Sequence, residues 1–223
     1  MWGMEAVVFD MDGTLTDTEA TWDVVRHSLA AEDGVPWPEG STQAMMGMST
    51  QEWSAHLVEV VGLRGTPEDA ARRTIEGLQE IYRTNLNVLP GAREAVERMA
   101  SRWTLGLASS SPRVLIDQSA ATMGIADLFA TTMSTEELSD AAGKPAPDVY
   151  LEVCRRLGAD PARSVAVEDS TNGLLSAHAA GMKVVAIPPH FHPPAAEVLA
   201  LADVVIDSLD ELTIDLVAGL LER

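Results

Sequence analysis

Short apolar runs alternate with helical periodicity along most of this chain. Residues 6–9 form an apolar run that ends at two carboxylates and a glycine, a pattern typical of a buried strand leading into a tight turn. Amphipathic helical segments separate this run from later ones, so the pattern predicts parallel βαβ units and a doubly wound, Rossmann-like α/β sheet. The later predicted strands are residues 104–108, 128–131, 164–167, 183–187 and 204–206.

Between the first and second predicted strands the chain shows helical periodicity only. The spacing predicts helices over residues 19–31, 50–61 and 67 to 82–85, the second capped by Ser49 or Thr50. Further helices are predicted in the alternating region, at 92–102, 114–123, 147–157 and 172–180. We therefore predict a core domain formed by residues 1–17 and 87–223 and an inserted all-helical cap domain formed by residues 18–86.

Composition limits the class of partner. The chain carries 34 acidic and 15 basic residues, with a formal net charge of −19, whereas nucleic acids and anionic membranes require clustered Lys and Arg. No apolar stretch approaches the roughly 20 residues of a membrane span. We expect a cytoplasmic protein without nucleic-acid or membrane partners, as a monomer or weak homodimer, with its single cysteine, Cys154, packed in a helix.

Polar side chains follow several predicted strands or begin the next helix. Alone, each is more common in helix caps and solvated loops than in active sites. The carboxyl ends of parallel strands meet at one edge of a sheet, where ligands bind. The sequence therefore predicts one site that combines acids, a hydroxyl and a lysine: Asp10, Asp12, Ser109, Lys144, Glu168 and Asp169.

Four short motifs carry a family resemblance: D-M-D-G-T-L at residues 10–15, L-A-S-S-S at 107–111, G-K-P-A-P-D at 143–148 and V-E-D-S-T-N-G at 167–173. In this order they resemble the four motifs of the haloacid dehalogenase superfamily. The match is similar to the phosphatase and β-phosphoglucomutase-like branch, whose helical cap is inserted after the first motif. The resemblance thus implies the same division that the periodicity predicts.

The resemblance also implies roles. Asp10 would be the nucleophile that forms an aspartyl-phosphate, and Asp12 would act as the general acid and base. Ser109, the Ser110 backbone N–H and Lys144 would bind the phosphate. Mg²⁺ would be held by the Asp10 side chain, the Asp12 carbonyl, Asp169 and Glu168, while Asn172 would orient a bound water or cap a helix.

Two other metal sites are disfavoured. An EF-hand loop needs glycine at its sixth position, but Gly13 is fourth when the loop is counted from Asp10. His190 and His192 lack a third ligand at suitable spacing, which favours a loop at the rim of the site.

The cap is expected to select the substrate. Relative to β-phosphoglucomutases, Trp22 stands where a histidine is expected, and the loop containing Met46 and Gly47 lacks the expected arginine. Trp22, Met46, Gly47 and, beyond the cap, Arg113 are candidate substrate contacts. Helical Trp and Met residues are more often part of the core, however, and a solvated charge explains Arg113 equally well.

These observations favour a Mg²⁺-dependent phosphatase acting on a small phosphate ester, such as a sugar phosphate or a phosphoglycolate-like monoester. A β-phosphoglucomutase-like phosphomutase and a non-enzymatic phospho-receiver or binding module remain as alternatives.

Overall fold

The protein forms a parallel sheet with helices on both faces. A computed structural model describes residues 4–45, 48–138, 143–190 and 193–222. Within them a six-stranded sheet has the order β3-β2-β1-β4-β5-β6, and every strand pair is parallel. The strands are β1 (Met4–Phe9), β2 (Thr104–Ser109), β3 (Phe129–Ser134), β4 (Ala159–Glu168), β5 (Lys183–Ala186) and β6 (Val204–Val205). The predicted doubly wound α/β fold is confirmed.

Helices occupy most of the connections between these strands. They are α1 (Glu19–Asp33), α2 (Ser41–Met45), α3 (Thr50–His56), α4 (Pro67–Asn85), α5 (Ala92–Ala100), α6 (Arg113–Met123), α7 (Asp148–Leu157), α8 (Thr171–Ala179), α9 (Ala196–Leu199) and α10 (Ile214–Leu221). Ser49 caps α3 and Thr66 caps α4, each through a reciprocal capping box, which satisfies free backbone donors of the first turn.

Strand β1 lies inside the sheet and is buried on both faces. Val7 and Phe9 pack into an apolar layer with α5, α6 and α10, whereas Ala6 and Val8 pack into the opposite layer with α7 and α8. Successive side chains of a strand point to opposite faces, so a continuous apolar run is what a strand covered on both sides requires. This burial fixes the position of the turn that follows β1.

The helices between β1 and β2 build a third apolar cluster, which includes Trp53, Leu57 and Tyr82 and also Leu115 of α6. Gln118 of α6 donates a hydrogen bond to the Gln79 carbonyl of α4 at 2.6 Å. The helical segment is thus tied to the sheet region through α6. Its division from the rest as a cap domain stays a prediction.

Several element boundaries differ from the sequence prediction. The helix predicted over 50–61 changes at Leu57 into a π-helical turn, Leu57–Val61. Strand β4 begins at Ala159 rather than at 164, and β3 covers Phe129–Ser134 rather than 128–131. Helices α2, α9 and α10 were not predicted, because two are only about one turn long and α10 is too uniformly apolar to show helical periodicity.

Cys154 is fully buried on α7, as predicted for a packed thiol. None of the helices in the described ranges is long and apolar enough to cross a membrane.

Candidate active site

The turn after β1 brings its first acid to the carboxyl edge of the sheet. Asp10 donates its backbone N–H to the Val167 carbonyl of β4 at 3.0 Å, which extends the strand pairing by one residue. Gly13 has a φ of 95°, a left-handed conformation that glycine adopts without steric cost. A side chain on Gly13 would also overlap the Asp169 carboxylate, so the turn packs directly against the acid that follows β4.

Lys144 joins the acids of two motifs. Its ammonium donates to Asp10 Oδ1 at 2.6 Å, to Glu168 Oε1 at 2.5 Å and to the Ala108 carbonyl at 3.0 Å. The Lys144 side chain is only 5% exposed. All three ammonium hydrogens therefore have acceptors, and the lysine has the single orientation that they impose.

Glu168 is fully buried, and both of its oxygens accept hydrogen bonds. Oε1 accepts from the Tyr150 hydroxyl at 2.6 Å as well as from Lys144. Oε2 accepts from the backbone N–H of Asp169 at 3.2 Å and from the Ser170 hydroxyl at 3.3 Å. Tyr150 was not singled out from the sequence, and its position two residues after the G-K-P-A-P-D motif was the available signal.

Asp10 and Asp169 hold their protons more tightly than free carboxyl groups do. Burial raises the pKa of Asp10 well above its ordinary value, Lys144 opposes this shift, and Glu168 and Asp169 add to it. Burial and the neighbouring Glu168 charge raise the pKa of Asp169 to about 8, against a hydrogen bond from Thr14. Burial alone would lower the pKa of Lys144, but Asp10 and Glu168 together hold that pKa above its ordinary value.

One carboxylate oxygen from each of Asp10, Glu168 and Asp169 lies within 4.8 Å of the other two. Hard divalent cations take oxygen ligands of this kind, and one ammonium leaves three carboxylates short of positive charge. The donor set and its unbalanced charge therefore fit a divalent metal.

Asp12 lies beside this cluster in a separate hydrogen-bond network. Its Oδ1 accepts from the Thr18 hydroxyl at 2.6 Å, and its Oδ2 accepts from the Ser111 hydroxyl at 2.6 Å and from the Ser109 hydroxyl at 3.4 Å. The sequence reasoning named Ser109 and Ser110 but missed Ser111, the last serine of the same motif. Ser110 is partly exposed at the end of β2.

Two other predicted site residues, Arg113 and Trp22, direct their side chains to partners outside this network. Arg113 donates to Asp117, Glu137 and the Thr132 carbonyl, which holds its guanidinium at the middle of β3. Trp22 packs edge-on against Trp53 with ring centroids 5.6 Å apart. Met46, Gly47 and His192 lie outside the described residues.

Asn172 and His190 also had expected roles. Asn172 is not the cap of α8, because Ser170 is, accepting the Gly173 N–H at 3.0 Å. His190 is exposed in the loop after β5.

The fold is a Rossmann-like, doubly wound parallel sheet, and its site holds three acids and a lysine at the carboxyl ends of the strands. Together they define a class of enzymes in which carboxylates form the reaction centre. A sequence model of the haloacid dehalogenase-like hydrolases matches residues 4–181. The chain belongs to this family, as the four motifs predicted.

Named relatives of the chain are phosphatases. Hexitol phosphatase B of Escherichia coli K12 is 33% identical over 217 residues, which cover 93% of this chain and 94% of that protein. A phosphorylated carbohydrates phosphatase of Thermotoga maritima is 32% identical over 181 residues, covering 81% of this chain and 83% of the relative.

The fold also matches solved structures. A Thermotoga maritima protein described as a candidate beta-phosphoglucomutase superposes with a TM-score of 0.76 and 29% identity, covering 96% of this chain and 98% of that one. The predicted branch of the superfamily is confirmed, and an enzyme of the phosphoric monoester hydrolase type is supported.

Proposed function

We propose that this protein is a Mg²⁺-dependent phosphatase that hydrolyses a small phosphorylated metabolite, such as a sugar phosphate or a phosphoglycolate-like monoester. The observation that carries the proposal is the Lys144 ammonium on the Asp10 carboxylate at 2.6 Å, in a buried cluster with Glu168 and Asp169. The named phosphatase relatives support the same reaction class.

In the proposed reaction, an Asp10 carboxylate oxygen attacks the phosphorus atom while the bond from phosphorus to the leaving oxygen breaks. Asp12 donates its proton to that leaving oxygen. A water then attacks the aspartyl-phosphate and gives a proton to Asp12, which releases phosphate and restores both acids. Hydrogen bonds from Thr18 and Ser111 to the two Asp12 oxygens support this role by fixing the carboxylate beside the nucleophile.

The transferring phosphoryl group needs donors, because it carries negative charge toward a carboxylate. We assign this role to the Ser109 hydroxyl, the Ser110 backbone N–H and the Lys144 ammonium. A Mg²⁺ ion held by Asp10, Glu168, Asp169 and the Asp12 carbonyl would neutralise charge on the nucleophile and the phosphate. The cation matters here because a net charge of −19 repels anionic esters at long range.

We further propose that residues 18–86 act as a cap domain over the site of the core domain formed by residues 1–17 and 87–223. The core then supplies the reaction, and the cap selects the leaving group. A small-molecule ester as partner and a cytoplasmic location complete the proposal.

The test is phosphate release from p-nitrophenyl phosphate and from a panel of sugar phosphates, with Asp10→Asn as the variant. We expect turnover with Mg²⁺, none with a chelator, and a loss of at least about 10³-fold in Asp10→Asn, because the nucleophile is removed. The matched control is Asp17→Asn in the same stretch, since Asp17 is exposed and its carboxylate accepts a hydrogen bond from Asn87. Activity retained in Asp10→Asn, or without metal, would contradict the assignment.

The two alternative functions predict other products. A phosphomutase would accumulate a sugar phosphate isomer rather than free phosphate when a bisphosphate activator is added. A phospho-receiver would release at most one phosphate per protein, so multiple turnovers exclude it.

A further inference from the structure

Arg26 of α1 is a buried cation. The residue is only 7% exposed, and its buried Nε has no hydrogen-bond partner among the described residues. No ion pair of Arg26 occurs within the described ranges. Burial lowers the pKa of its guanidinium to about 10, with Asp23 and Tyr82 opposing the shift, so the group is charged at neutral pH. A buried charge without a counter-ion is costly to fold around.

Two tryptophan rings hold this guanidinium in place. The Arg26 Cζ lies 4.8 Å from the ring centroid of Trp22 and 5.4 Å from that of Trp53. Aromatic faces attract a cation but offer no hydrogen-bond acceptor to its N–H groups. The tryptophan rings therefore contact the guanidinium, while its buried Nε donor has no acceptor in the described part of the chain.

The Tyr82 hydroxyl connects Arg26 to the reaction centre. This hydroxyl is buried without a hydrogen-bond partner. Burial raises the pKa of Tyr82 and the negative charge of Asp12 raises it further, whereas Thr18, Trp22 and the positive charge of Arg26 lower it. Thr18, which directly precedes α1, donates a hydrogen bond to Asp12 Oδ1 at 2.6 Å, so the helix that carries Arg26 begins at the proposed general acid.

Unpartnered polar atoms concentrate in this part of the molecule. Among the described residues, four buried side-chain polar atoms lack a partner, and three of them belong to helices α1, α3 and α4: Arg26 Nε, Thr50 Oγ1 and Tyr82 OH. Thr50 lies one turn before Trp53 on α3. The Trp53 ring contacts the Arg26 guanidinium. Buried polar groups in native proteins are nearly always satisfied, so such a group of exceptions points to a ligand.

We propose that Arg26 binds an anionic group, a carboxylate or a second phosphate, on the part of the substrate that leaves with the ester oxygen. This rests on the proposed phosphatase function and narrows its substrate to esters with two anionic ends. The planar guanidinium matches a carboxylate or a phosphate with paired hydrogen bonds, and a neutral hydroxyl would leave the charge unbalanced. Arg26 would then supply, from α1, the basic group that a mutase is expected to carry at other positions of the cap and that this chain lacks there.

The test compares esters that differ only in that end group. The first set is 6-phosphogluconate and sorbitol 6-phosphate, and the second is 2-phosphoglycolate and 2-hydroxyethyl phosphate. The third set compares sorbitol 1,6-bisphosphate with sorbitol 6-phosphate and so probes a second phosphate. We expect the wild type to favour the charged member of at least one set, in kcat/KM, by about tenfold or more. The set with the larger preference identifies the anion as carboxylate or phosphate.

Arg26→Met keeps an apolar stem against the tryptophans and removes the charge. We expect the charged-to-neutral ratio of kcat/KM to fall at least about tenfold, and Arg26→Lys, which keeps the charge but loses the paired geometry, to lie between. Arg83→Met is the control, because Arg83 is an exposed arginine of α4 paired with Glu80, and its ratio should equal that of the wild type.

Thermal unfolding separates a binding role from a structural one. If Arg26 serves the substrate, Arg26→Met melts at the wild-type temperature or above it, because a buried unpaired charge has been removed. A neutral preference in the wild type, or an unchanged ratio in Arg26→Met, would overturn the inference. If instead no ester releases phosphate, the proposed function itself fails, and the two failures are distinct.

Discussion

Replacing Lys144 tests how much the buried charge cluster depends on its one cation. The chain has two lysines, and both form ion pairs with carboxylates. The Lys144 side chain is 5% exposed and its two partners are 9% and 0% exposed, whereas Lys183 and Asp203 are 30% and 29% exposed. Lys144→Met and Lys183→Met therefore remove the same group from a buried site and from a surface site.

The expected costs differ severalfold. Removing one member of a buried ion pair leaves an uncompensated charge and costs about 3–5 kcal/mol, and here two carboxylates and the Ala108 carbonyl lose their donor together. A half-exposed pair such as Lys183–Asp203 contributes about 0–1 kcal/mol. We expect Lys144→Met to lose several times more unfolding free energy than Lys183→Met at pH 8, with the gap narrowing at pH 5 because Asp10, whose pKa burial raises, takes up a proton.

Urea unfolding measures the unfolding free energy of both variants. A chelator is present because a bound metal would replace the missing charge. Tryptophan fluorescence and circular dichroism should give coincident transitions before a free energy is extracted. If the two variants lose the same unfolding free energy at pH 8, within about 1 kcal/mol, the buried ion pair stabilises the fold no more than the surface pair does. That result would refute the expected cost of leaving the Asp10 and Glu168 charges buried without their cation.

Four further outcomes are expected. Because burial and Glu168 raise the pKa of Asp169 from 3.8 to about 8, the metal-free folded protein binds protons that the unfolded chain releases, so its melting temperature should fall as pH rises across that interval. At pH 8, Mg²⁺ at 100 times its Kd should add about 2.7 kcal/mol; a flat pH profile or no metal effect would contradict this. Gly13→Ala should abolish Mg²⁺-dependent turnover, since its Cβ would displace the Asp169 carboxylate. Gly181→Ala, also at positive φ but facing open space, should lose only about 1–2 kcal/mol of stability, and equal activity in the two variants would argue against the overlap. Burial raises the pKa of Cys154 to about 11, so iodoacetamide should modify this thiol only after unfolding, and rapid labelling of native protein would place it at the surface.

The sequence alone determined the parts of this protein that depend on neighbours along the chain. The apolar run before Asp10 predicted a buried strand, and it is one, because a strand covered on both faces can carry no polar position. The helix over 50–61 was predicted to start at Ser49 or Thr50 because both are good caps, and Ser49 is the cap. The order of the four motifs predicted the family. Their joint position at the carboxyl edge followed from a general rule of parallel sheets.

Only the tertiary structure decided which side chains meet. Lys144 and Asp10 are 134 positions apart. They meet because Lys144, in the segment before α7, also donates to Ala108 of β2 and Glu168 of β4, the strands that flank β1. Sequence spacing likewise did not distinguish Ser111 from Ser110 as the serine that contacts Asp12. It also gave no signal that Arg26 would be buried between two tryptophans, since a polar residue on an amphipathic helix is ordinarily exposed. Local patterns fix elements and motifs, whereas the pairing of charges depends on how those elements pack.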